Sequence, residues 1–181
     1  MHALAMVTRC DAGVDAALDA GVPACMVRLA GSALRPPFAG PPGAAMRVSC
    51  AECLAQLSHH GRGKAAILEA GGIDVLAQLL GSDEAVAKAV HALMGVTTEV
   101  QSKLAAMQAA GTALVALLKR PGPVADDCRA VLLNVAEHPE ARKLLALHLP
   151  DCERERFLGA LPLLPPDYRM SVVIPKVGKS F

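Results

Sequence analysis

One short apolar pattern recurs along this chain at a spacing far longer than a helical turn. It is Leu-x-x-(Val/Leu), and it reads Leu4/Val7, Leu54/Leu57, Leu93/Val96 and Leu132/Val135. The steps between copies are 50, 39 and 39 residues. Two apolar residues three apart share one face of a helix. A helical unit that returns every ~40 residues is too small to enclose a core alone, so it buries its apolar face against the next copy. The spacing therefore predicts an all-α chain built as an α-solenoid. The segment His2 to Thr8 echoes His91 to Thr97, and nothing stands before it in this sequence. The chain is expected to open in the middle of a repeat, with an apolar end that another chain or missing repeats would cover.

The residue types fit closely stacked helices. The chain is 53% hydrophobic and 19% charged, with three Phe, one Tyr and no Trp. Its core volume must come from Ala, Leu and Val rather than aromatics, and Ala and Leu are strong helix formers. A net charge of +1 offers no basic stripe for nucleic acid, and aromatic platforms for RNA are missing. No stretch reaches the ~18–20 uncharged apolar residues that a membrane span needs. The six Cys fall mostly inside helical patterns, which suits reduced thiols.

Each full repeat is read as three helices. A short one ends in Ala-Gly, at Ala20-Gly21, Ala70-Gly71 and Ala110-Gly111, where glycine can close a helix in the left-handed conformation. Second helices are expected over 22–30, 73–80 and 112–119. Longer third helices are expected over 44–58, 84–97 and 124–137, with Ser82 or Asp83 capping the middle one and Pro123 in the first turn of the last. Cys50, Ala89 and Cys128 precede the marker leucines by one turn and let helices cross closely. A Pro-rich insertion at 31–43 accounts for the 50-residue step. It reads as a surface loop with polyproline character, either a spacer or a docking loop anchored by Phe38. Residues 1–150 are thus the repeats. Residues 151–181 are a capping helix near 151–161 and an extended apolar tail.

The stretch Gly71-Gly72-Ile73-Asp74-Val75-Leu76-Ala77-Gln78-Leu79-Leu80, with the helix ending Ala92-Leu93-Met94-Gly95-Val96, resembles an armadillo repeat. A narrower likeness runs over residues 84–157. It includes Ala92-Leu93-Met94, Lys103-Leu104-Ala105-Ala106, and Ala136-Glu137-His138-Pro139-Glu140-Ala141-Arg142-Lys143-Leu144-Leu145. There the chain is similar to the radial spoke armadillo proteins of motile cilia. Members of that family are longer, and the Pro-rich insertion departs from them. The resemblance implies a non-enzymatic structural subunit of the axoneme, in the cytoplasm and cilium, whose partners are other protein subunits. The alternative is a cytosolic armadillo adaptor that binds a peptide or helix in its groove.

In peptide-binding armadillo proteins, the position two residues after the marker leucine often carries an Asn that grips the partner's backbone. Here it is Met6, Gln56, Gly95 and Asn134, so only Asn134 keeps the type. Neighbouring positions on the same face are Ser49/Glu52, Lys88/His91 and Asp127/Ala130. A docking role is expected to rest on Gln56, Lys88, His91 and Asn134, with Phe38 on the loop. Cys50-x-x-Cys53 followed by His59-His60 has the look of a zinc knuckle. Cys53, however, holds the repeat position of Ala92 and Val131, which makes it a packing residue. Gly61-Arg62-Gly63-Lys64 lacks the spacing of a phosphate loop and reads as an inter-repeat turn. Asp126-Asp127 are adjacent on a helix and point about 100° apart. His138 and His148 have no partner at catalytic spacing. No catalytic residue, metal or cofactor is expected.

Overall fold

The computed structural model describes residues 11–38 and 40–159. The opening marker Leu4/Val7, Met6 and the tail beyond the capping helix lie outside the described residues. Those that are described form an all-helical chain with no strand among them. The helices are α1 (Asp11–Asp19), α2 (Val22–Ala33), α3 (Pro41–Leu57), α4 (Gly61–Glu69), α5 (Gly72–Leu79), α6 (Val86–Val96), α7 (Val100–Leu117), α8 (Pro123–Ala136), α9 (Pro139–His148) and α10 (Asp151–Leu158).

Equivalent helices of successive repeats lie against one another. The third helices pack in the order α3, α6, α8, and the second-helix segments in the order α2, α5, α7. The marker residues Leu54, Leu57, Leu93, Val96, Leu132 and Val135 are all fully buried, and so are Cys50, Ala89 and Cys128 one turn earlier. Small side chains at the crossings bring the helix axes close, so each marker leucine can reach the next repeat. At the far end Phe157 of α10 is buried, which gives the capping helix its anchor.

Two Ala-Gly junctions form as expected. Gly21 and Gly71 sit at φ 68° and 71°, a region that costs other residues roughly 1–2 kcal/mol. The third does not form, because α7 runs through Ala110-Gly111 without a break. The reason is a shift in register. Gly71 stands eight residues before Leu79, but eight residues before Leu117 stands Ala109. With no glycine at the turning position, the first and second helices fuse into one rod about 27 Å long. Gly111 occupies the place of Ile73 instead, and a Cβ there would strike the Met107 side chain.

Three other expectations need correction. The Pro-rich insertion is shorter as a loop than its composition suggests. Helix α2 continues to Ala33, and α3 begins at Pro41 rather than Ala44, with Gly40 as N-cap and proline in its first turn. Helix α6 starts at Val86, not Glu84, and no side chain caps it. The backbone carbonyl of Ser82 accepts from the Ala85 and Val86 amides, while its hydroxyl is taken by Arg47. Finally, Gly61 to Lys64 is the first turn of α4. Gly63 is buried there because a Cβ would collide with the Leu57 carbonyl at the end of α3.

The junction register predicts an asymmetry between two single substitutions. Gly71→Ala should lower unfolding free energy by about 1–2 kcal/mol. Ala109→Gly, on an exposed helix position, should cost no more than about 1 kcal/mol and leave α7 continuous. Urea denaturation of the two variants, with hydrogen exchange across residues 105–113, checks both.

Candidate interaction surface

The face carried by the third helices brings together three of the four groove residues expected from sequence. Gln56, Lys88 and His91, with Ala55, Ala87 and Asp127, line a shallow depression of about 230 Å³ spanning α3, α6 and α8. Polar ties cross it. Lys88 Nζ donates to Glu52 Oε1 at 3.4 Å. His91 stands between its neighbours, with Nε2 3.2 Å from His59 Nε2 and Nδ1 3.9 Å from Asp127 Oδ2. Sequence reading missed His59 as a member of this face, because it lies beyond the end of α3 and 32 residues from its partner.

Asn134 keeps the expected residue type but is occupied. Its amide nitrogen donates to the Met94 carbonyl at 3.3 Å and to Thr97 Oγ1 at 3.4 Å. Both groups close the end of α6, so this amide binds one repeat to the next. Gly95 lacks an Asn for a steric reason: a Cβ there would meet the Ser58 side chain and its backbone carbonyl. This position here serves contact between α3 and α6.

Phe38 is 45% exposed, and its loop is held rather than free. Arg47 reaches from α3 and donates to the carbonyls of Ala33, Phe38 and Gly40 at 3.0, 3.3 and 3.4 Å. The same guanidinium donates to Ser82 Oγ at 2.8 Å and pairs with Glu84. One side chain, 6% exposed, thereby joins the insertion, α3 and the approach to α6. The Arg47 hydrogen bond holds the Glu84 carboxyl below the usual carboxylate range.

A second set of cations follows the repeat. Lys64, Lys103 and Arg142 stand 39 residues apart and face the end of a later helix. Lys64 Nζ lies 2.7 Å from Thr98 Oγ1 and 3.6 Å from Glu99. Lys103 pairs with Glu137, and Arg142 donates to the Leu158 carbonyl at 2.8 Å. These cations sit where helix C-termini expose carbonyls and partial negative charge.

Three of the described cysteines behave as core residues. Cys50, Cys53 and Cys128 are at most 1% exposed. Burial, the first cause in each, pushes their thiols up to about 12, 11 and 11. A thiol so far above neutral pH is not a nucleophile. Asp126 of the adjacent carboxylate pair is engaged by Arg129 at 2.5 Å, while Asp127 faces His91. Among the described residues no group of three or more His, Cys, Asp or Glu is placed to hold a metal ion. No described helix is long and apolar enough to cross a membrane.

No protein-family model matches the chain. No curated protein matches it either. Among solved structures it is similar to an engineered protein determined by the Northeast Structural Genomics Consortium. That likeness has 27% identity and a TM-score of 0.67 over 80% of this chain. The chain spans 58% of the engineered protein's length.

Two outcomes test the site's chemistry. Burial, His91, His60 and Lys64 all lower the pKa of His59, so folding favours its neutral form. Its contribution is complete above the ordinary histidine pKa of about 6.5 and is lost as pH falls through the lower folded value. The urea midpoint should therefore fall between pH 7.5 and 5, and His59→Gln should flatten that fall. A thiol reagent at pH 8 should leave Cys50, Cys53 and Cys128 unlabelled in native protein and label all three in urea, read by peptide mass.

Proposed function

We propose that this chain is an armadillo-type α-solenoid serving as a non-enzymatic scaffold in a larger protein assembly, the radial spoke of a motile cilium. The observation that carries this reading is the ordered packing of α3, α6 and α8. It offers a continuous face on which Gln56, Lys88, His91 and Asp127 surround one shallow depression. Such a face suits a folded neighbour that docks by shape, with a polar rim and few deep pockets. The sequence likeness over 84–157 supplies the ciliary context. The buried, basic-shifted thiols fit packing residues better than reactive ones.

The adaptor reading asks for free side-chain amides along the groove. The Asn134 amide is committed to Met94 and Thr97, and Gly95 has no side chain to offer. That favours docking by surface shape over capture of an extended peptide.

In ciliated cells the tagged protein should stay with the axoneme through detergent and leave with spoke subunits in high salt. A pool wholly soluble in detergent counts against the proposal. Gln56→Arg combined with Lys88→Glu, both on the surface strip, should reduce axonemal retention about tenfold, equivalent to ~1.4 kcal/mol of docking energy. Retention by the double variant equal to wild type would move the docking face elsewhere.

A further inference from the structure

Two imidazoles from successive repeats meet at the rim of the groove. His59, in the turn after α3, and His91, on α6, hold their Nε2 atoms 3.2 Å apart. The ring centroids are 5.2 Å apart and the planes are inclined at 66°. Two nitrogens bound to one tetrahedral ion at 2.0–2.1 Å lie about 3.2–3.4 Å from each other, so the observed span is that of two ligands sharing an ion. On the far side of His91, Nδ1 faces Asp127 Oδ2 of α8 at 3.9 Å. That carboxylate is beyond hydrogen-bond distance, but its negative charge favours the ring proton on Nδ1, which leaves the Nε2 lone pair free to bind.

We propose that His59 and His91 form a two-histidine site for a borderline divalent transition metal of the Zn²⁺, Ni²⁺ and Cu²⁺ class. Asp127 orients His91 in this site, and water completes the coordination shell. Imidazole suits these ions, whereas Mg²⁺ and Ca²⁺ prefer oxygen donors. His59 is exposed and the His91 side chain is 38% exposed, so water has access. Ligation requires both rings in their neutral form. Cys50 and Cys53 are not part of the site, since both are buried within the α3 helix. With two protein ligands the site is open and exchangeable, and the ion straddles the α3–α6 seam. Ligation needs both rings with the proton on Nδ1. Without metal the same pair is held by one N–H···N hydrogen bond. The inference does not depend on the docking role.

The test is titration of the purified full chain with ZnCl₂ and NiCl₂ at pH 7.5, followed by histidine side-chain NMR and thermal unfolding. The His59 and His91 signals should move together and saturate at one ion per chain. The unfolding midpoint should rise over the same range. His59→Ala and His91→Ala, each checked by circular dichroism for retained helix, should each abolish both effects. Asp127→Asn should weaken binding several-fold, and at pH 5.5 protons should displace the ion. The proposal is overturned if the two signals stay still at millimolar metal. It is equally overturned if the midpoint still rises in both histidine variants, because the ion then sits on other residues. In either case the pair is a hydrogen bond only.

Discussion

The structure depends on the close crossing of three third helices. Cys50, Ala89 and Cys128 keep the crossing points small, and Leu54, Leu93 and Leu132 fill the space beside them. Shortening any of these leucines would leave a cavity that the surrounding helices could not collapse to fill. Enlarging any of the small residues would force the helices apart. Gly95 against Ser58 and Gly63 against Leu57 meet the same requirement where even one methyl group is too much. With almost no aromatic volume, the chain gains its cohesion from many shallow contacts at short interhelical distance.

Polar side chains work on top of this packing as ties between repeats. Most link residues 34 to 47 positions apart, near the 39-residue period. Arg62 with Asp15 and Asp19, Lys64 with Thr98, Lys103 with Glu137, and Arg120 with Asp83 are examples. Exposed pairs such as Arg62–Asp15 add little stability individually. Their value is in register, because a repeat that slipped against its neighbour would lose several together. Arg47 differs in gathering three backbone carbonyls, those of Ala33 at the end of α2, Phe38 and Gly40, so it fastens the insertion as well as the stack.

Much of the helical order was legible in the sequence because it rests on local rules. Apolar period, proline at helix starts and glycine at closing turns marked α5 and α8 within a few residues. The misreadings have specific causes. Ala110-Gly111 looks like Ala70-Gly71 as a dipeptide, but its register against Leu117 puts an alanine at the turning position. Ser82 has the residue type of a cap and serves as an acceptor for Arg47. Asn134 has the type of a groove residue and serves as a seam. In the last two cases the side chain could make either bond, and a residue 35 or more positions away decided which.

By itself the sequence determined that this chain is helical and that marker residues such as Leu54, Leu93 and Leu132 are core. Each of those follows from spacing within one or two helical turns. The tertiary structure alone decided which polar groups meet: Arg47 with Ser82 and Glu84, His91 between His59 and Asp127, Asn134 with the end of α6. Such pairs depend on how one repeat is rotated against the next. That rotation is set by the sum of many small apolar contacts, which no single motif records.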